Sequence, residues 1–275
     1  MLYNTWVLYG EPVANQDGPK ANDRYLVPAA DLAARVLFCL SRSQSPRMSL
    51  IEICQQLEIH KSRAFSILHT LQKYGLIQRN VEQKGYSLGP GIVSLARRFL
   101  EDLRLPKLAE PILKKLAITS EGTAALGMIA DGYAYVVARH EGERETGLVT
   151  IRVGHRLRLT TGSHGKAIAA FLDEDELESI LAQKKLYFHG SPEKFDRKRL
   201  GEVLSDCRLD GFALELGEVT PGLNTVAAPV FGVHGRPIGY IVLLGLFSGE
   251  TAYRLGPSVA KGGRDLSRLL GGKVD

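Results

Sequence analysis

Between Lys61 and Lys73 the stretch KSRAFSILHTLQK interleaves two kinds of residue. Ala64, Ile67, Leu68 and Leu71 recur at i, i+3, i+4 and i+7, the repeat of one helix face. Lys61, Ser62, Arg63, Ser66, His69, Thr70 and Lys73 then fall on roughly the opposite side, at about 100° per residue. Ammonium, guanidinium, hydroxyl and imidazole groups on one short helix suit phosphates and the base edges of a DNA major groove. Arg63, with a planar fork of donors, is the residue expected to grip a guanine through two hydrogen bonds.

Two further groups lie in the second half of the chain. Gly162-Ser163-His164-Gly165-Lys166 opens a predicted helix, whose first amides and dipole favour an anion such as a carboxylate. The alternative is an ordinary cap with an exposed His. The run is no P-loop: the G-x-x-x-x-G-K-[ST] spacing is missing, and Ala167 stands where a magnesium-binding hydroxyl is needed. Adjacent Ser163 and His164 do not by themselves make a nucleophile–base pair, and no third orienting group is evident. Glu215 and Glu218 lie on either side of Gly217. Paired carboxylates can do acid–base work, but a solvated loop is the plainer reading. The seven His carry no H-E-x-x-H spacing, and Cys39, Cys54 and Cys207 form no C-x-x-C. No metal, cofactor or catalytic centre is therefore expected.

The elements that must hold these groups follow from the pattern. A helix over Val27–Ser41 buries Leu32, Val36, Leu37 and Leu40. Ser49 caps a second helix, and Glu52 completes a capping box; Leu50, Ile53, Cys54 and Leu57 make its apolar face. Gly75 stops the polar-fronted helix. Leu76–Arg79 and Tyr86–Leu88 flank Glu82-Gln83-Lys84-Gly85 as a hairpin wing, placing Arg79 and Lys84 against phosphates. After Gly89-Pro90-Gly91 a helix over Ile92–Arg104 is apolar over nearly half its surface, which suits a second copy of the chain. Pro106 starts another helix.

Beyond it the pattern turns to strands: Thr123–Ala130, Tyr133–His140, Leu148–Val153, Leu157–Thr160, Phe212–Leu216, Asn224–Phe231 and Pro237–Leu244. Helices are expected at Gly162–Phe171, Leu177–Ala182, Lys198–Leu209 and Thr251–Leu270. There is no regular βαβ alternation, so the fold class is α+β with a mostly antiparallel sheet.

The 275 residues suggest about two domains. With 44% hydrophobic and 24% charged residues the chain is of ordinary globular make-up. Its net charge of +5 is concentrated: Arg42 to Arg98 holds nine Lys/Arg against three Asp/Glu. A local basic surplus around a helix-turn-helix pattern is the electrostatic footprint of a DNA binder. No apolar run reaches a membrane span, and Met1 is not followed by a signal-peptide pattern. A reducing cytoplasm is expected. Residues 1–24 are expected as a flexible arm, with docking of Trp6–Tyr9 as a short strand the alternative.

The order of parts resembles the IclR family of bacterial transcription regulators. The likeness rests on KSRAFSILHTLQKYGLI running into YSLG, on GHRLRLTTGSHGKAIAAFL, and on GFALELGEVTPGLNTVAAPVFG. It implies a winged helix-turn-helix domain (25–89), a dimerising linker helix (90–105) and a GAF/PAS-like α+β effector-binding domain (106–275). It implies partners as well: double-stranded DNA at a palindromic operator, a small-molecule effector, and self-association as a dimer or dimer of dimers. The family's ligand contacts map to Ser163, His164 and Gly165 at the helix start, Glu215 in the acidic loop, and Leu223 and Thr225 beside it. Val242 and Leu244 stand on the last strand, where relatives that bind small carboxylates often have Ser. A less polar pocket, suited to a larger or aromatic acid, is the expectation. The Arg usual in the middle of the family's recognition helix is absent here; the matching run is Arg63-Ala64-Phe65-Ser66.

Overall fold

The computed structural model describes residues 6–7, 26–43, 45–80, 85–102, 104–130, 132–142 and 149–272. The chain divides into two compact units, residues 18–103, and residues 104–275 together with 1–17. Of the expected arm only Trp6–Val7 is described; it is a two-residue strand, β1, of the second unit.

The first unit is built from α1 (Pro28–Arg42), α2 (Leu50–Leu57), α3 (Lys61–Lys73), the strands β2 (Ile77–Asn80) and β3 (Gly85–Leu88), and α4 (Gly91–Asp102). Leu32, Val36, Cys39 and Leu40 of α1 close on Ile53 of α2 and on Leu68 and Leu71 of α3, with Ile77 and Tyr86 beneath. These are the stripes that the helical repeat marks, and their burial fixes which side of α3 faces out. The Ser49 side chain accepts the Glu52 N–H, while Ser49 N donates to the Glu52 carboxylate at 2.6 Å. Such a reciprocal cap stabilises a helix start by about 1 kcal/mol. The strands pair antiparallel, Ile77 opposite Leu88 and Asn80 opposite Gly85. The wing turn with Lys84 lies outside the described residues.

The second unit runs α5 (Arg104–Ser120), β4 (Thr123–Ala130), β5 (Tyr133–Glu141), β6 (Val149–Thr150), β7 (Arg156–Arg158), α6 (Gly162–Ala169), α7 (Glu174–Leu181), α8 (Arg197–Asp210), β8 (Ala213–Leu216), β9 (Asn224–Phe231), β10 (Pro237–Gly245) and α9 (Gly249–Leu269). Six strands form one sheet in the order β7-β5-β4-β10-β9-β8, every described neighbour antiparallel. Its faces follow the two-residue alternation of β10. Tyr240, Val242 and Leu244 pack with Ala167 and Ile168 of α6 and with Leu200 and Leu204 of α8. Ile241 turns the other way, beside Ile112 and Leu116 of α5 and Gly262 of α9. Gly263 lets α9 lie directly on β9: a Cβ there would stand 2.6 Å from the Pro229 carbonyl oxygen.

One expected strand is corrected. Leu148–Val153 is extended into the sheet by the sequence pattern, yet among its described residues only Val149–Thr150 are strand, and they pair in parallel with β1. Val149 and Ile151 do sink into the core, which produces the strand-like alternation. The backbone then turns, with Gly154 N bonded to Val136 O at 2.7 Å and Val136 N to His155 O at 2.9 Å. β7 takes the place beside β5.

Candidate functional site

In the first unit α3 presents Lys61, Ser62, Arg63, Ser66, His69, Thr70 and Lys73 to solvent, while Ala64, Leu68 and Leu71 are buried. The N-cap, His60, makes no side-chain cap bond, so the first amides of α3 are left for an outside acceptor. Ser66 Oγ donates to the Ser62 carbonyl at 3.1 Å and Thr70 Oγ1 to the Ser66 carbonyl at 2.9 Å. With their hydrogens committed to the helix, both hydroxyls face outward as acceptors. Arg79, exposed on β2, holds its guanidinium 5.7 Å from the ring centroid of the buried Tyr86 directly opposite. That contact aims a charge beside the helix. Phe65, absent from the polar set, is also exposed on α3.

The second unit gathers most of the other predicted residues on one face of its sheet. Thr225 on β9 stands opposite Glu215 on β8 and opposite Leu244 on β10. Ser163 Oγ and Thr225 Oγ1 are 2.6 Å apart. Thr225 Oγ1 donates on to Glu215 Oε2 at 3.4 Å. Glu215 Oε1 accepts the N–H groups of Glu218 and Val219 at 2.5 and 2.9 Å. Leu223, Val242 and Leu244 are buried in the same core. A polar chain Ser163–Thr225–Glu215 thus ends at the start of α6, with aliphatic side chains beside it. Thr161, the N-cap of α6, makes no side-chain cap bond. Burial raises the Glu215 carboxyl above its ordinary range, against the pull of its two N–H donors and Lys166.

Two of the plainer alternatives give way at this site. His164 is not exposed. Its ring stacks on Tyr240, centroids 5.1 Å apart, and its Nε2 lies 3.0 Å from the Arg158 carbonyl. Burial pushes its pKa down to about 4, so it is neutral at pH 7. Nor is the Glu215–Glu218 segment a solvated loop. Lys166, itself buried, donates to Glu218 Oε2 at 2.9 Å and to the Leu214 carbonyl at 3.2 Å. Arg199 reaches Glu218 Oε1 at 2.5 Å. Burial raises Glu218, but Lys166 and Arg199 outweigh it and hold the group below its ordinary value. Gly165 owes its place to packing: a Cβ would meet the Leu159 carbonyl oxygen at 2.4 Å.

The geometry does not pair Ser163 with His164 as nucleophile and base. Ser163 Oγ bonds Thr225 and His164 Nε2 faces Arg158 O, so the two side chains are engaged elsewhere. Among the described residues no group of three or more His, Cys, Asp or Glu gathers to hold a metal. A groove of about 900 Å³ opens along another part of α6, lined by Ile129, Leu159, Ile168, Leu172, Ile180 and Ile238 among others. At its edge Arg236 bridges Asp173 and Glu176 at 2.8 and 3.1 Å.

Residues 29–81 match the model of the IclR helix-turn-helix domain, and residues 97–267 match that of the bacterial transcriptional regulator IclR C-terminal domain. The chain belongs to the IclR family. Among curated members it is 28% identical to the HTH-type transcriptional regulator BhcR of Paracoccus denitrificans, over 86% of this chain and 84% of that one. An IclR transcriptional regulator from Alicyclobacillus acidocaldarius superposes with a TM-score of 0.77 at 25% identity, covering 90% of this chain and all of the other. An IclR homologue from Microbacterium hydrocarbonoxydans, solved with 4-hydroxybenzoate, shares the fold at a TM-score of 0.71 and 18% identity, covering 88% and 99%. Among the described residues no helix is long and apolar enough to cross a membrane.

Against the family motifs, sequence reading missed Tyr240, Lys166 and Arg199. Tyr240 carried a signal, since period-two alternation sets it on the same face as Val242 and Leu244. Lys166 sits inside the quoted G-K-A, but nothing local points it at Glu218, 52 residues away.

Proposed function

We propose that this IclR-family regulator binds a palindromic operator as a dimer or dimer of dimers, and that an aromatic or similarly large organic acid bound in the second unit changes its operator affinity. The observation that carries the effector reading is the Ser163–Thr225–Glu215 chain at the uncapped start of α6, walled by Leu223, Val242 and Leu244. The uncapped helix start takes the carboxylate. Glu215, whose carboxyl burial raises, stands one hydroxyl away, through Thr225. The aliphatic pair Val242 and Leu244 suits a ring better than a small keto acid. The 4-hydroxybenzoate held by the Microbacterium homologue is a compound of this class.

On the DNA side, Arg63 contacts a base and Lys61, Lys73, Arg79 and Lys84 hold phosphates. Ser62, Ser66, His69 and Thr70 complete the reading face. Residues 90–105 act as the linker, and α4 dimerises through Val93 and Leu95, which are 71% and 65% exposed in the single chain. Effector binding shifts the population of two arrangements of the paired DNA-binding units, a coupling of about 1–3 kcal/mol. The protein works in the cytoplasm and catalyses nothing.

A second reading places the effector in the 900 Å³ groove, whose volume falls in the range of small-molecule sites. Operator binding at fixed salt, measured with a panel of acids, separates the two. Benzoate-like acids are expected to change affinity. Thr225→Val removes the response and leaves basal DNA binding intact, while Ile180→Trp, which fills the groove, keeps it. A response to pyruvate-like acids alone overturns the aromatic preference, and loss of response only in Ile180→Trp moves the site to the groove.

A further inference from the structure

Phe65 is a large apolar side chain on a helix face otherwise made of Lys, Arg, Ser, Thr, His and Gln. It is 52% exposed, although the core stripe of α3 lies next to it at Ala64 and Leu68. Its ring stacks on His69 one turn later, centroids 6.4 Å apart and planes 17° from parallel. The stack ties the ring to the residues set for base edges rather than to the unit's core. Two hydroxyls of the helix, Ser66 and Thr70, have their hydrogens committed to helix carbonyls.

In the major groove one feature of a base pair is apolar, the 5-methyl group of thymine, and a phenyl ring is a fitting partner for it. We propose that Phe65 is a specificity-determining residue that reads thymine by packing its ring on the 5-methyl group, with His69 holding the ring in place. The proposal rests on α3 being the helix that enters the groove. It supplies base information that does not depend on an Arg in the middle of the helix.

The test starts from duplexes selected by the full-length protein from a random pool. Each thymine of the selected site is then replaced singly by deoxyuridine, which removes the methyl group and keeps every hydrogen bond. Affinity is measured by fluorescence anisotropy at fixed salt. At one thymine per half-site the loss of the methyl is expected to weaken wild type about fourfold, the value of one buried methyl-sized group. Phe65→Ala is expected to bind the thymine and uracil duplexes alike, and Phe65→Leu to keep part of the discrimination. Three results overturn the proposal while leaving DNA binding standing: a selected half-site without thymine, wild-type binding indifferent to the methyl, or Phe65→Ala still discriminating thymine from uracil. Failure to enrich any duplex would sink the DNA-binding reading and this one with it.

Discussion

The helices α3 and α6 begin alike and end up in opposite surroundings. Neither start is capped by a side chain; His60 and Thr161 make no such bond. Ser49, Asp173, Asp196 and Ser248, by contrast, cap α2, α7, α8 and α9. Free amides at a helix start attract negative charge; α1, whose N-cap Val27 makes no side-chain bond either, begins instead on a proline. Along α3, three of thirteen residues are buried; along α6, all eight are. The consequence is physical. Charges on α3 are already hydrated and screened, so they can be lost at little cost to folding, and they act on a partner that arrives with its own counterions. Groups on α6 have given up water. Their protonation is tied to stability, and any ligand must replace contacts such as Ser163–Thr225.

The largest effect expected from this contrast is acid sensitivity at His164. Its pKa is about 4 in the folded chain against an ordinary 6.5. The unfolded chain therefore binds a proton that the folded chain refuses. Stability is full above pH 6.5 and falls as the pH drops toward 4, by about 3 kcal/mol in total. Denaturant unfolding of the second unit at several pH values measures it. In His164→Gln, where Nε2 can still donate to the Arg158 carbonyl, that part of the pH dependence should vanish. An unchanged pH slope in the variant would mean that the imidazole is not held neutral by burial, and the contrast with α3 would weaken.

Next in size is Arg63→Ala. Removing a bidentate guanine contact costs about 1–3 kcal/mol of specific binding and relaxes the preference at one base position. Because Arg63 is exposed, unfolding stability should stay within about 0.5 kcal/mol of wild type. Selection from a random pool with both proteins reads the preference, and a thermal melt reads the stability. A variant with the same selected site but a lower melting temperature would make Arg63 a structural residue and reverse its assigned role.

Much of this contrast is legible in the residues. The apolar stripes of α1 to α3, the Ser49–Glu52 capping box and the bounds of β9 follow from local spacing alone, since helix and strand periods are properties of neighbouring residues. The interior of the effector unit is another matter. Ser163 meets Thr225 across 62 residues, and Lys166 meets Glu218 across 52. No local period encodes such pairs; motif likeness brought in Thr225 and Glu215, but it left the Lys166–Glu218–Arg199 group unseen. His164 was legible as a helix-start residue, but its burial depends on Tyr240 arriving from β10. Phe65 was passed over for the opposite reason. The i, i+3, i+4 stripe runs beside it, and an exposed phenyl carries no polar group to draw notice.

The smallest effect sharpens the α3 side. Lys73 lies in the last turn of the helix and is exposed, where a phosphate contact carries no sequence information. Lys73→Ala should weaken binding to every duplex by a similar factor and leave the selected site unchanged. Binding that neutralises one phosphate fewer releases about one counterion fewer. The slope of log affinity against log salt should therefore become shallower by about 0.9. Anisotropy titrations at four or five salt concentrations on one operator and one unrelated duplex suffice. Equal changes in slope on both duplexes mark a positioning contact. A change on the operator alone would move Lys73 among the base readers, and the division of labour along α3 would have to be redrawn with Arg63 sharing its part.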